Sequence, residues 1–131
     1  MGNSPRILAL KASEMKSVHE VCAITHVTRK RLYYYDHIGL LKPTRRVGPQ
    51  KTKMYNAKAI ARLETILKLQ EAGLKIQEIH RILDAAPPLQ KHLLKEAAER
   101  LYRERDSLNI KIRHMEELIA YADHTEDPAD Q

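Results

Sequence analysis

Apolar residues follow a seven-residue rhythm through the last part of the sequence. One row holds Leu94, Leu101, Leu108, Met115 and Ala122, and a second row, offset by four residues, holds Ala98, Arg105, Ile112 and Ile119. This 3–4 alternation over five heptads predicts one long helix across residues 89–122 with a two-row seam. At ~1.5 Å per residue the helix extends for about 51 Å, which is too long for a small domain to cover. We therefore predict a coiled coil whose partner is a second copy of the chain.

Two points about this helix stay open at the level of sequence. The helix could instead lie in the core of its own chain, although a strict seven-residue repeat over five heptads favours a coiled coil. Arg105 is a charged member of the second row. In a closed seam it either snorkels to the surface, pairs with Glu104 or Asp106 of the partner subunit, or sets the register of the two helices.

Two short helices are predicted near the amino terminus. Ser17 and Glu20 have the spacing of a capping box, which starts the first helix. Thr28 is a good N-cap for a second helix over residues 29–38, and Gly39 suits the left-handed position that ends it. Two short helices joined by a tight turn are typical of a helix-turn-helix.

The pattern changes between residues 40 and 55. Pro43, Gly48 and Pro49 break any helix, and residues 47–51 have the composition of a loop tip between two short extended segments. A basic hairpin that follows a helix-turn-helix is a wing.

Two more helices are predicted before the long one. Asn56 is the N-cap of a helix over residues 57–72, which Gly73 ends. A shorter helix follows within residues 74–83. The Ala-Ala-Pro-Pro segment at 85–88 is the best candidate for a domain boundary.

Charge divides the chain of 131 residues, which has a net charge of +6. Residues 1–83 carry 16 Lys and Arg against 6 Asp and Glu, whereas residues 84–131 carry 7 against 11. Residues 29–53 hold eight basic side chains and one acid, Asp36. So dense a positive segment indicates a polyanionic partner, most simply nucleic acid, although a generally basic surface is the alternative.

The composition excludes several classes of protein. No run of about 18 apolar residues predicts a membrane span, and the apolar run at 7–10 is too short for a signal peptide, so we expect a cytoplasmic protein. A single cysteine excludes an intramolecular disulfide. No nucleophile constellation, acid pair or glycine-rich phosphate loop stands out, so we predict neither an enzyme nor a cofactor.

One cluster has the spacing of a metal site. His19, Cys22 and His26 lie at i, i+3 and i+7, which could hold zinc on one helical face. Cys22 also falls where a small inward residue is wanted, and His26 lies at the helix end. A buried cysteine beside two surface histidines is therefore favoured, and no metal site is predicted.

Several segments resemble the MerR family of bacterial transcriptional regulators. The most specific are Leu-Tyr-Tyr-Tyr-Asp at 32–36 and Ile-Gly-Leu-Leu-Lys-Pro at 38–43, and Leu-Gln-Glu-Ala-Gly-Leu at 69–74 adds to them. The similarity covers about half of the chain, and the rest agrees in plan: a proline-containing hinge and then a long dimerisation helix. The resemblance implies a winged helix-turn-helix domain paired through an antiparallel coiled coil. Members bind promoters whose two recognition elements are too far apart and distort the DNA for RNA polymerase.

Pattern and resemblance together give a mostly α-helical fold, a winged helix-turn-helix DNA-binding domain followed by a long coiled-coil dimerisation helix. We predict a flexible arm at 1–14, the winged domain at 15–86, the coil at 87–123 and a disordered acidic tail at 124–131. The expected partners are double-stranded DNA, a second copy of the chain and RNA polymerase, with no membrane. The expected location is the bacterial cytoplasm, in association with the nucleoid.

Eleven residues are predicted to contact DNA: Thr28, Arg29, Lys30, Arg31, Tyr34, Tyr35, Arg45, Arg46, Lys51, Lys53 and Tyr55. The first four begin the recognition helix, where Arg and Lys pair with guanine edges or with phosphates. The resemblance implies that the two tyrosines of that helix brace and contact the DNA backbone, and that the wing residues contact phosphates.

The sequence also departs from the family pattern. Tyr33 stands where an arginine is usual, and His26 stands where the turn usually has a small residue. No cysteine lies at the start of the long helix or after it, so a thiolate metal sensor or an iron–sulfur sensor is not expected. Two rival interpretations remain: an excisionase-like architectural DNA-binding protein, and a coiled-coil adaptor whose basic head binds RNA or an acidic protein.

Overall fold

A computed structural model describes residues 14–125 of the chain. In this part the elements are β1 (Met15–Ser17), α1 (Val18–Thr25), α2 (Arg29–His37), β2 (Arg45–Val47), β3 (Thr52–Asn56), α3 (Ala57–Glu71), α4 (Ile76–Leu83) and α5 (Pro87–Thr125). The chain divides into two units, Met1–His80 and Arg81–Gln131. Nearly all of the predicted arm and acidic tail lies outside the described residues, and the predicted boundary after residue 86 stays a prediction.

The helix-turn-helix begins with the predicted capping box. The Ser17 hydroxyl accepts the N–H of Glu20 at 3.2 Å, and Glu20 Oε1 accepts the N–H of Ser17 at 3.0 Å. Thr28 caps α2 by accepting the N–H of Arg31 at 3.1 Å. His26 ends α1 with a left-handed φ of 65°. This turn therefore tolerates a histidine, at a cost of order 1 kcal/mol relative to glycine.

The small sheet contains a strand that the sequence did not predict. Its order is β1-β3-β2, and both pairings are antiparallel. β1 has three residues, so it is too short to show a period of two, and Lys16 pairs with Tyr55 far along the chain. The pairing joins the start of the helix-turn-helix to the hairpin of β2, β3 and the loop at 48–51, which we call the wing.

The core of the first unit is formed by apolar side chains of its helices and of the segment that follows α2. The fully buried ones include Val21, Leu32, Leu40, Ile60, Leu63, Ile66 and Ile79. Asn56 links the wing to α3, because its Oδ1 accepts the N–H of Ala59 at 2.9 Å. Arg62 then reaches back from α3 and donates from Nε to the Leu40 carbonyl at 3.0 Å. These bonds fix α3 to the segments on either side of the wing.

The second unit is dominated by α5, which has 39 residues and is about 58 Å long. It begins at Pro87, so the two prolines form its first turn, where no intrahelical N–H is needed, rather than a separate hinge. Leu93 and Ala97 are buried, whereas every residue from 101 to 125 is exposed. None of the helices within residues 14–125 is both long and apolar enough to cross a membrane.

The two predicted seam rows lie on this exposed helix. Leu94, Leu101, Leu108, Ile112, Met115 and Ile119 are between 36% and 59% exposed, and Arg105 and Ala122 are exposed as well. Ala98 is half-buried. Within residues 14–125, the seam residues from 101 onward are exposed to solvent. This argues against the alternative in which the long helix is buried in the core of its own chain.

Candidate nucleic-acid interface

The first turn of α2 presents three consecutive cations. Arg29, Lys30 and Arg31 are exposed, and that turn contains no acidic residue. A helix N-terminus is positive because its first N–H groups lack intrahelical partners. Three cations at this end weaken the helix slightly and concentrate positive charge, an arrangement suited to a polyanion.

Arg31 is held by α3 rather than extended into solvent. Its Nη2 donates to the Tyr35 hydroxyl at 2.9 Å and also to Oε1 of Gln70, and the Tyr35 hydroxyl donates to the same Gln70 oxygen. Tyr35 is 1% exposed. The structure thus corrects the expectation for Tyr35: its ring belongs to the core, and its hydroxyl reaches Gln70 instead of a phosphate.

Asp36 is a buried acid that joins the recognition helix to the wing. Its carboxylate accepts from Arg46 at 2.9 Å and Lys53 at 2.8 Å, and Lys42 lies 4.0 Å away. Arg46 and Lys53 sit directly opposite each other on β2 and β3, where like charges repel. The bond from Arg46, with further support from Lys53, lowers the pKa of Asp36 to about 2 despite its burial. We call these four residues the latch.

The wing carries two further exposed cations, one on a strand and one at its tip. Arg45 lies on β2, and Lys51 lies at the turn with a left-handed φ of 56°. Gly48 has a φ of 76° in the same turn, so the backbone reverses tightly and points the tip away from the core. The wing therefore adds exposed positive charge to the first unit, as the sequence predicted.

Tyr55 departs from its predicted role. Its side chain is fully buried, and its hydroxyl has no hydrogen-bond partner within the described residues. Burial, with a smaller contribution from the nearby Asp36 charge, raises its pKa to about 12. Lys53 and Tyr55 share one face of β3 because side chains alternate along a strand, and this face turns inward. Tyr55 is thus a core residue in this structure and not a surface phosphate contact.

Tyr33 is a residue to which the sequence assigned no role in binding. Lys53 Nζ lies 4.1 Å from the centre of its ring, and Arg29 Nη1 donates to its hydroxyl at 3.2 Å. The ring is 40% exposed, and the neighbouring Tyr34 is 49% exposed. An aromatic face attracts cations. Tyr33 therefore contacts one cation from α2, Arg29, and one from the wing, Lys53.

Nine of the eleven predicted contacts thus lie at or near the surface of the first unit, and Tyr35 and Tyr55 do not. The sequence missed the supporting roles of Tyr33, Asp36 and Gln70. Asp36 carried a usable signal, since it is the one acid in a strongly basic segment, whereas Gln70 lies on a distant helix. Across residues 14–125, no three His, Cys, Asp or Glu side chains come together as a candidate metal site.

Comparison with known families identifies the arrangement. Residues 16–86 match the MerR HTH family regulatory proteins. The match runs from β1 through the helix-turn-helix and the wing to the residue before α5.

The chain is also similar to curated proteins. It is 35% identical over 80 residues to the nodulation protein NolA of Bradyrhizobium sp. (strain NC92), which is 58% of this chain and 33% of that protein. It is 29% identical over 108 residues to the HTH-type transcriptional activator mta of Bacillus subtilis (strain 168), or 82% of this chain and 39% of that protein. The chain therefore spans well under half of the length of either relative.

A solved structure shares the fold. The crystal structure of MtaN, the N-terminus of the Bacillus subtilis multidrug transporter activator, aligns with a TM-score of 0.71 and 26% identity. The alignment covers 79% of this chain and 97% of that one. The predicted fold class, a winged helix-turn-helix followed by a long helix, is confirmed.

Proposed function

The chain belongs to the MerR family of helix-turn-helix regulatory proteins, and from this premise we propose that it binds promoter DNA as a homodimer. The family consists of DNA-binding transcriptional regulators, which agrees with the prediction that the chain is not an enzyme. In the proposed complex the first unit of each chain binds one half-site, and the two α5 helices hold the two first units apart.

The latch is the observation on which the proposal rests. Asp36 binds Arg46 and Lys53 at 2.9 and 2.8 Å, and through them ties the wing to the recognition helix. The cations of both elements therefore belong to one rigid surface. A rigid cationic surface neutralises several phosphates at once without first ordering a loop, which favours tight binding.

Base reading is assigned to the start of α2. Thr28 and Lys30 lie at the helix end that enters the major groove in helix-turn-helix proteins, and the neighbouring Arg29 is assigned a phosphate contact. Arg31 is engaged with Gln70, so we assign it a bracing role and a phosphate contact rather than base readout. Arg45 and Lys51 at the wing contact phosphates beside the half-site, as Tyr34 does from the recognition helix.

Dimerisation is assigned to the seam of α5. Its large apolar residues are 36–59% exposed in the single chain, so pairing with a second α5 would remove a continuous apolar stripe from water. Pairing over residues 94–122 would extend about 43 Å, which exceeds one turn of DNA. Arg105 already pairs with Asp106 at 3.1 Å on its own helix, so its charge need not be buried without a partner.

A rigid dimer also explains why promoter DNA would be distorted. The distance between two first units fixed on one coiled coil cannot adapt freely, so the DNA must bend or untwist to bring each half-site to its first unit. Such deformation costs on the order of a few kcal/mol, which the phosphate contacts offset. We propose that this distortion brings two separated promoter elements into register for RNA polymerase.

Selection of bound fragments from genomic DNA tests the proposal. The expected sites have twofold symmetry, and an Arg29→Ala, Lys30→Ala double variant loses at least about tenfold in affinity for them. Lys68→Ala, which removes an exposed charge from α3, is the matched control and should bind normally. Selected fragments without symmetry, or tighter binding to RNA than to duplex DNA at physiological salt, would contradict the proposed function.

A further inference from the structure

A cleft of about 540 Å³ opens in the first unit beside the recognition helix. Its walls are the start of α1 at Ser17–His19, one face of α2 and the wing residues 50–53. The lining includes three cations, Arg29, Lys51 and Lys53, and contains no acidic residue. A concave site with this charge suits a small, multiply liganded anion.

Tyr33 forms part of the lining and organises two of these cations. Lys53 Nζ lies 4.1 Å from the ring centre, and the Tyr33 hydroxyl accepts from Arg29 Nη1 at 3.2 Å. Lys53 is also held from its other side by Asp36 at 2.8 Å. Arg29 from α2 and Lys53 from the wing thus contact the same aromatic side chain although both are positively charged. The family pattern has an arginine at the position of Tyr33.

We propose that this cleft holds one phosphodiester of bound DNA, with Lys51, Lys53 and Arg29 as its ligands and Tyr33 as their positioning residue. The inference rests on the proposed function, because it assigns one phosphate within that complex. Where the family pattern has a charged arginine, this chain has Tyr33, which instead positions the cationic side chains of Arg29 and Lys53. Gln50 and His19 also line the cleft, and each carries an N–H donor.

Single methylphosphonate substitutions in the selected duplex test this assignment, since each removes one phosphate charge. For the unmodified chain, one position in each half-site should weaken binding by about tenfold. Lys51→Ala should reduce the effect of that position, because Lys53 and Arg29 remain, and leave the other positions unchanged. Lys68→Ala should leave the whole profile unchanged.

Two substitutions distinguish the contribution of the Tyr33 ring to DNA binding from that of its hydroxyl. Tyr33→Leu removes both contacts and should weaken DNA binding by about tenfold while reducing the effect of the same methylphosphonate. Tyr33→Phe keeps the ring beneath Lys53 and should lose only about two- to threefold. The ring is partly exposed, and unchanged circular dichroism of both variants confirms that they fold.

The outcomes distinguish the cleft from the function on which it depends. If the unmodified chain selects no DNA site, the proposed function fails. If it binds a site but Lys51→Ala and Tyr33→Leu keep the full methylphosphonate profile, the cleft assignment is overturned and the function stands. Inorganic phosphate, added at constant ionic strength, should compete no better than chloride. Competition at millimolar phosphate without a sensitive methylphosphonate position would instead indicate a site for a free anion and overturn the assignment.

Discussion

The first unit and the long helix use apolar side chains in opposite ways. In the first unit, Leu32, Ile60 and Leu63 are fully buried and pack the helix-turn-helix and wing into a closed core. On α5, Leu108 and Met115 are 57% and 59% exposed, although their spacing is the most regular in the chain. A single chain therefore closes the core of its first unit but leaves the apolar stripe of α5 exposed within the described residues, which is the observation behind the proposed pairing with a second helix.

Charge follows the same division. In the first unit one buried carboxylate, Asp36, holds cations from two elements at 2.8–2.9 Å. On α5, polar side-chain pairs join residues one turn apart on the helix surface, such as the exposed His92 and Glu96, and the half-buried Arg100 with the exposed Glu104. Such surface pairs contribute little to stability. Electrostatic contacts therefore link separate elements of the first unit, whereas the proposed coiled coil depends on apolar pairing.

The largest expected effect comes from placing a charge in the seam. Leu108→Asp should raise the dimer dissociation constant by at least about 100-fold, because each chain would bury an unpaired carboxylate. Sedimentation equilibrium measures the change. Ile110→Asp is the matched control, since Ile110 is 49% exposed on α5 but lies outside both rows. Equal weakening by the two substitutions would mean that the heptad rows do not define the interface.

The latch should be the next most sensitive point, and its effect should depend on pH. Asp36→Asn should lower the free energy of unfolding by about 2 kcal/mol at pH 7, because Arg46 and Lys53 lose their shared counter-ion. The folded pKa of Asp36 is lowered to about 2, so its contribution is complete above the unfolded pKa and is lost as the pH falls through about 4 towards 2. Urea unfolding at several pH values measures it. A constant difference between the two proteins from pH 7 to pH 2.5 would contradict the role of the latch.

A smaller effect is expected at the wing tip. Lys51→Ala should reduce the slope of log affinity against log salt by about 0.9, equivalent to about threefold between 50 and 200 mM salt. Its exposed side chain should leave the free energy of unfolding unchanged. Binding titrations across a salt series test this, with Lys68→Ala as the charge-matched control. An unchanged slope would remove the wing tip from the interface.

The smallest effect is expected at Tyr55. Its hydroxyl is buried without a hydrogen-bond partner, so Tyr55→Phe should keep or slightly raise stability, by no more than about 1 kcal/mol. DNA affinity and the salt slope should not change, because the hydroxyl does not reach the surface. A flatter salt slope in this variant would restore Tyr55 to the DNA contacts.

Local rules explain what the sequence predicted well. Ser17 with Glu20, Thr28, Gly39 and Asn56 each mark a helix end through contacts within a few residues, and all of them act as expected. The seven-residue rhythm likewise predicted α5, although the helix extends slightly beyond 89–122 at both ends.

What the sequence missed depends on pairs that lie far apart in the chain. β1 exists only because it pairs with β3, and Tyr35 is satisfied by Gln70, 35 residues later. The resemblance implied that Lys53 and Tyr55 both contact phosphates, but only the packing of β3 shows that Tyr55 is buried. Tyr33 acquired a role through contacts from both α2 and the wing.

Two chains joined through α5 are proposed to present two cationic first units to one DNA duplex. Analytical ultracentrifugation of the full chain with a selected symmetrical site measures the stoichiometry directly. We expect two chains per duplex, reduced by Leu108→Asp to single chains that bind weakly, with Ile110→Asp behaving as the unmodified protein does. One chain bound tightly per duplex, unaffected by Leu108→Asp, would rule out the proposed dimer.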